Sequence, residues 1–187
     1  RNWSDQELIK SALSPIEIKR EDRDRASLLF SDYLHLLLSG KKEIVAQLSQ
    51  DQLSNVAYFA KASSFSDLDD VNWKLLTHPG SIIFSALLPL LFSKEVNPQN
   101  FLRAVITGYQ GSSLIAQVLH PTHSRNWHAS ATSGIFGAAL ATANLLELSD
   151  DKKAQALHFA SAAIGGGASA PRSQNGASRF TRIHAAL

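Results

Sequence analysis

The 187-residue sequence has no cysteine, which excludes disulfides, thiolate metal sites and cysteine nucleophiles together. It has no methionine either. With Arg1 at its start and the apolar run Ile183-His184-Ala185-Ala186-Leu187 at its end, without a helix stop, it reads as a fragment, incomplete at both ends. Charge is scarce. Charged residues make up 18% against 44% hydrophobic ones, with a mean hydropathy of -0.07; this excludes a disordered chain and calls for a large buried core. Neither sign dominates: 18 basic and 16 acidic residues leave +2 and an isoelectric point near 9.0. Without a basic run of five or more residues, nucleic acid is not an expected partner. Long apolar runs are missing too. Ile82–Phe92, broken by Ser85 and Pro89, falls well short of the roughly 20 residues that span a bilayer. Ala129–Leu148 is longer but rich in Ala, Ser, Thr and Gly, which suits close helix packing better than lipid. The N-terminus carries Asp5 and Glu7 and no apolar signal core. No membrane partner is expected, and the cytoplasm is the expected compartment.

What is present is helical periodicity. Ser4-Asp5-Gln6-Glu7 fits a capping box, and that helix stops at Ser14-Pro15. Ala26, Leu29, Phe30, Tyr33, Leu34, Leu37 and Leu38 recur at three and four, one buried face, with Gly40 as a natural residue past the end. Ser49-Gln50-Asp51-Gln52 opens a helix to about Ala62. A loop through Asp67 ends at His78-Pro79-Gly80-Ser81, before an apolar helix to Phe92. Asn97-Pro98 starts the next, which runs to Leu119. A His-rich loop, His120 to His128, precedes a small-residue helix to Leu148, and Ser149 caps a last long helix ending at Gly165-Gly166-Gly167. No stretch alternates with the period of a strand. The expectation is an all-α chain, a single domain over residues 1–187 with about eight helices.

Ionisable residues are densest at Asp67-Leu68-Asp69-Asp70, followed by His78. A carboxylate beside a histidine is the minimum kit for moving a proton; an exposed acidic cap beside a loop histidine is the plainer alternative. Gly80 and Ser81 open a helix whose free N–H groups favour an anion such as a substrate carboxylate, although an ordinary turn capped by Ser81 is the plainer reading. His120, His123, Arg125 and His128 match no standard zinc spacing. An anion pocket of Arg125 with His128 is better founded, since arginine grips a carboxylate bidentately; a solvated loop is the alternative. Gly165-Gly166-Gly167-Ala168-Ser169 lacks the lysine of a phosphate loop and reads as a flexible connection. His158, inside an apolar pattern, reads as a core or interface histidine.

Taken in order, these segments resemble the MmgE/PrpD family. Asp32-Tyr33-Leu34 through Gly40 is similar to its early aspartate helix. Asp67-Leu68-Asp69-Asp70 with His78-Pro79-Gly80-Ser81 resembles its D-x-D-D … H-P-[GS]-[SA] signature. Arg125-Asn126-Trp127-His128 with Gly134-Ile135-Phe136-Gly137-Ala138-Ala139 resembles its R-G-[FW]-H … G-x-[FLI]-G-A-A segment, Asn126 replacing the glycine. The likeness covers most of residues 26 to 165. It implies a helical domain that complete members join to a smaller α+β domain, which this chain does not include. It also implies 2-methylcitrate dehydratase-, cis-aconitate decarboxylase- or iminodisuccinate epimerase-like chemistry on small di- or tricarboxylates, without metal or cofactor, in a homodimer.

Carried over by resemblance, Asp67, His78 and His128 are the expected catalytic residues, with His78 oriented by Asp67. Gly80, Ser81, Arg125 and Arg182 are expected to bind substrate. Val71 departs from a frequent threonine and Ser64 from a frequent histidine, and the segment between Gly40 and Asp67 is short. Arg179-Phe180-Thr181-Arg182-Ile183-His184 is similar to K-x-[LP]-H, with Thr181 at the lysine position and Arg179 or Arg182 as candidates to replace its charge. Two expectations follow: a lyase or isomerase, or a non-catalytic member serving as a helical subunit or interaction scaffold.

Overall fold

The structure, a computed structural model, describes residues 4–39, 49–167 and 178–187, with side chains in the last stretch from Arg182 onward. Gly40, Ala168, Ser169 and the side chains of Arg179 and Thr181 therefore lie outside the described residues. The described residues form eight α-helices: α1 (Asp5–Leu13), α2 (Arg20–Ser39), α3 (Gln52–Ser63), α4 (Gly80–Ser93), α5 (Pro98–Leu119), α6 (Ala129–Leu145), α7 (Asp150–Ala162) and α8 (Ser178–Ala186). Among these residues there is no strand, only the isolated bridges Asn72–Thr77 and Trp127–Gly167. The fold is all-α, and no described helix is long and apolar enough to cross a membrane.

The local signals operate as their chemistry dictates. At α1, Ser4 N–H donates to Glu7 Oε2 at 2.8 Å while Glu7 N–H donates to Ser4 Oγ at 3.3 Å, so two free backbone donors are satisfied reciprocally. Asp51 accepts from Ser54 N–H at 2.8 Å, and Asn97 from Gln99 N–H at 2.8 Å, one residue before Pro98. At α4 the turn differs from the expected cap. Pro79 holds the cap position, and Ser81 is buried inside the first turn. The small-residue helix α6 ends at Leu145, three residues early. There Glu147 takes φ 52, and Leu148 N–H donates to Ala143 O at 3.0 Å. This is a left-handed helix stop built on glutamate instead of the glycine that would have announced it. Helix α7 likewise ends at Ala162, short of the glycines.

Helix α4 runs through the middle and is buried at every position from Gly80 to Ser85. One side packs Ile83, Phe84 and Leu87 into a cluster with Tyr33, Phe59 and Phe101; Ile82 on the other joins Ala131, Ile135 and Leu140. Phe30, Tyr33, Phe84 and Phe101 pack together, Phe30 and Phe101 edge to face with centroids at 4.7 Å. Each fully buried large side chain contributes about 1.5–3 kcal/mol. Leu38 departs from its expected face and is exposed on α2; of the two readings of His158, core or interface, its exposure on α7 removes the core one.

Helices α5 and α6 approach most closely at glycine. A Cβ on Gly137 would lie 2.8 Å from Gly108 O, and one on Gly108 would lie 2.9 Å from Gly137 O, so two backbones touch where no methyl fits. Gly137→Ala is expected to cost about 1–3 kcal/mol by overpacking, measured by urea unfolding. Gly111→Ala, which meets only the flexible end of Leu140, should cost less.

Candidate functional site

The site is built on the loop between α3 and α4. Helix α3 closes with two buried serines whose hydroxyls turn back on the helix: Ser63 donates to Phe59 O at 2.8 Å and Ser64 to Ala60 O at 2.6 Å. The chain then reverses at Asp67, in the left-handed region at φ 53. Asn72 N–H donates to Thr77 O at 2.8 Å, closing a turn that returns His78 to the acidic run. His78 N–H donates to the buried Ser130 Oγ of α6 at 3.0 Å. The loop's far end is thereby fixed to the core.

The two adjacent acids have opposite surroundings. Asp70 accepts from Gly80 N–H at 2.8 Å and from Tyr109 O–H at 2.9 Å. Burial pushes its carboxyl up to about 6, partly offset by those two donors and reinforced by Asp69. Tyr109 is raised well above the usual phenol value by burial and by Asp70. A side chain at Gly80 would collide with Asp70 Oδ1 and lie 2.7 Å from Tyr109 Oη. The anion at the start of α4 is thus the chain's own carboxylate. Ser81, also expected there as a substrate contact, is 1% exposed, with its hydroxyl 3.5 Å from His78 O.

Asp69 is the buried junction. Arg182, from α8, donates through Nη1 to Asp69 Oδ1 and Oδ2 at 3.0 and 2.9 Å, and through Nη2 to Asp67 Oδ1 at 3.3 Å. Side-chain exposure is 4% for Arg182 and 3% for Asp69, against 57% for Asp67. His78 Nδ1 lies 3.4 Å from Asp69 Oδ1, an ion-pair distance without hydrogen-bond geometry. Nδ1 and Arg182 Nε are the two buried side-chain polar atoms without a hydrogen-bond partner among the described residues. Burial acts to raise the Asp69 carboxyl, but His78, Arg182 and Ser81 together outweigh it and hold the group below its ordinary value. The carboxylate beside His78 is therefore Asp69, where the family resemblance had implied Asp67.

His128 sits at the start of α6, its N–H donating to Gly166 O at 2.7 Å. Burial, with Arg182 and His78 nearby, lowers its imidazole to about 4, against the opposing pull of Asp67 and Asp69. The same bond, with the Trp127–Gly167 bridge, ties Gly166 and Gly167 to the loop before α6. His123 Nε2 meets Thr132 Oγ1 at 2.7 Å and its ring stacks on Trp127, while Arg125 and His120 are exposed. Among the described residues no group of three or more histidines and carboxylates is placed to hold a metal ion.

Asp67, His78, His128 and Arg182 thus share one neighbourhood, organised by Asp69, Asp70, Tyr109 and Ser130. The aspartates stood in the acidic run, but only the loop's conformation assigns their partners. Tyr109 and Ser130 carry no sequence signal beyond helical periodicity. An all-α core with a carboxylate–histidine–arginine cluster at one helix start defines the class. Residues 48–186 match the MmgE/PrpD N-terminal domain, well over half the chain, so the chain belongs to the MmgE/PrpD family. The match takes in every site residue from Asp67 to Arg182 and begins after the aspartate helix of Asp32. No curated protein matches the chain significantly.

Replacing Arg182 by glutamine leaves Asp69 buried without its cation, and is expected to cost about 3–5 kcal/mol; Asp69→Asn in the same chain should recover part of it. Equilibrium unfolding reads both.

The Asp70 and His128 shifts have opposite signs. Asp70's folded value lies above its ordinary 3.8, so its contribution is full below that pH and lost as pH rises through about 6. His128's folded value lies below its ordinary 6.5, so its contribution is full above that pH and lost as pH falls through about 4. Between pH 4 and 6.5, Asp70→Asn should gain stability relative to the parent as pH rises, and His128→Gln should lose it. Each change should reach about 1–3 kcal/mol. Urea titrations at several pH values check both slopes, and equal signs would contradict the assignment.

Proposed function

We propose that the protein is a metal-independent lyase or isomerase working at the carbon next to a carboxylate of a small di- or tricarboxylate, as a dehydratase, decarboxylase or epimerase. The observation that carries this reading is His78 beside the buried Asp69, with the uncharged His128 in the same electrostatic neighbourhood. With Nδ1 turned to Asp69, the Nε2 lone pair of His78 is the base for an α-proton, and the electron pair left behind spreads into the substrate carboxylate as an enolate. An imidazole held neutral to about pH 4 is a poor source of a full proton. His128 fits better as a neutral hydrogen-bond donor where charge grows or a group departs. Arg182 and the exposed Arg125 are the cations offered to substrate carboxylates, while Gly80 and Ser81 support the site through Asp70 and Asp69.

A second reading, a non-catalytic helical subunit or scaffold, has its own observation. The guanidinium of Arg182 and the amide of Gly80 are engaged by the chain's own carboxylates, and Thr181 stands at the position of the family lysine.

Proton NMR in D2O with citrate, 2-methylcitrate, cis-aconitate and an aspartate-derived imino acid separates the two. Loss of an α-proton signal with the parent protein, abolished in a folded His78→Ala variant, is the expected result. Exchange that survives in His78→Ala removes the assigned base, and no exchange with any compound by the folded parent favours the scaffold.

A further inference from the structure

Arg182 is held firmly through Nη1 and only partly along its other edge. A guanidinium offers two forked edges to a carboxylate, Nη1–Nη2 and Nε–Nη2. Asp69 takes neither fork, because both its contacts run to Nη1. The Nε–Nη2 edge carries a single bond, from Nη2 to Asp67 Oδ1, and its 3.3 Å is long beside the roughly 2.7–2.9 Å usual for charge-assisted pairs. Nε is buried on a side chain only 4% exposed and has no hydrogen-bond partner among the described residues. A buried donor left unsatisfied beside a half-used fork marks a place where a second carboxylate oxygen belongs.

Asp67 is the less firmly held of the two aspartates. It is 57% exposed where Asp69 is 3%, its backbone is in the left-handed region at φ 53, and it has exposed neighbours in Ser66 and Leu68. Among the described residues the cluster sets Asp67, Asp69 and Asp70 against the guanidinium of Arg182, a balance that repels a polycarboxylate if every group stays in place.

We propose that the Nε–Nη2 edge of Arg182 is the seat for one substrate carboxylate, and that Asp67 is its placeholder, swinging outward as the substrate's carboxylate forks onto Nε and Nη2. The inference deepens the reading of the site as a carboxylate-handling one and takes only the ligand class from it. The exchange keeps the charge balance around Arg182, since one carboxylate leaves as another arrives, and Asp69 remains paired throughout. It assigns Asp67 to substrate admission and leaves Asp69 as the positioning partner of His78.

The test is calorimetric binding of succinate, with succinamide as the uncharged control, to the parent, Asp67→Ala and Asp67→Ala/Arg182→Lys proteins. Removing the internal competitor should tighten succinate binding about tenfold or more, with no gain for succinamide. Lysine keeps the charge but cannot fork, so the double variant should return to the parent's affinity. No gain in Asp67→Ala, or a gain that survives in the double variant, overturns the seat. If the double variant does not fold, the arginine Nε–H NMR signals of Asp67→Ala decide. A shift of one such signal at saturating succinate, absent with succinamide, supports the seat, and unmoved signals overturn it. Tightening without α-proton exchange in the parent removes the enzyme reading and leaves the seat; exchange without tightening does the reverse.

Discussion

Arg182 and Asp69 meet across 113 residues of chain, both almost wholly removed from water. A buried pair of this kind is an exacting constraint. Each charge alone would be strongly unfavourable in the interior, and only the geometry that satisfies both makes them tolerable. The apolar burial of Ala185 and Ala186 in the core beside Ile82 and Ile135 provides the driving force for docking α8. The ion pair adds direction, because it admits only the placement that sets the guanidinium on Asp69. The loop after α3, the position of His78 and the half-used edge toward Asp67 all follow from that contact.

Behind the pair, two consecutive residues of like chemistry are driven to opposite states. Asp69, beside a guanidinium and an imidazole, is held ionised. Asp70, although it accepts from a backbone N–H and a phenol, is pushed toward neutrality by burial. Environments that separate two carboxyl groups in this way divide labour between them: one orients charge in the site, the other ties the loop to α4 and α5. Gly80 permits that tie because any side chain there would occupy the space of Asp70 and Tyr109. The imidazoles are also distinguished by position, His78 on the carboxylate side and His128 where burial and Arg182 oppose its charge.

Most of the architecture was legible because helices announce themselves locally. The capping box at Ser4, the caps at Asp51 and Asn97, the proline at the start of α5 and the periodicity of α2 through Tyr33 and Leu37 are all short-range signals, written within one or two turns of the chain. The misses share a cause. The end of α6 rests on a glutamate in a conformation normally marked by glycine, and the exposure of Leu38 and His158 depends on which neighbouring helix arrives. The small-residue run of α6 suggested close packing, yet the partner, Gly108 on α5, could not be named from the run itself.

The sequence by itself determined the helical class, the order of the helices and the residue types of the site, because periodicity, caps and acid–histidine spacing are carried by neighbouring residues. Only the tertiary structure decided which aspartate stands beside His78, which reaches Arg182, and that Tyr109 and Ser130 belong to the same assembly. Those assignments turn on a left-handed residue at Asp67 and on a helix more than 100 residues downstream. Distances of about 3 Å and the exclusion of water, on which the chemistry of these groups depends, exist only when remote segments are packed together.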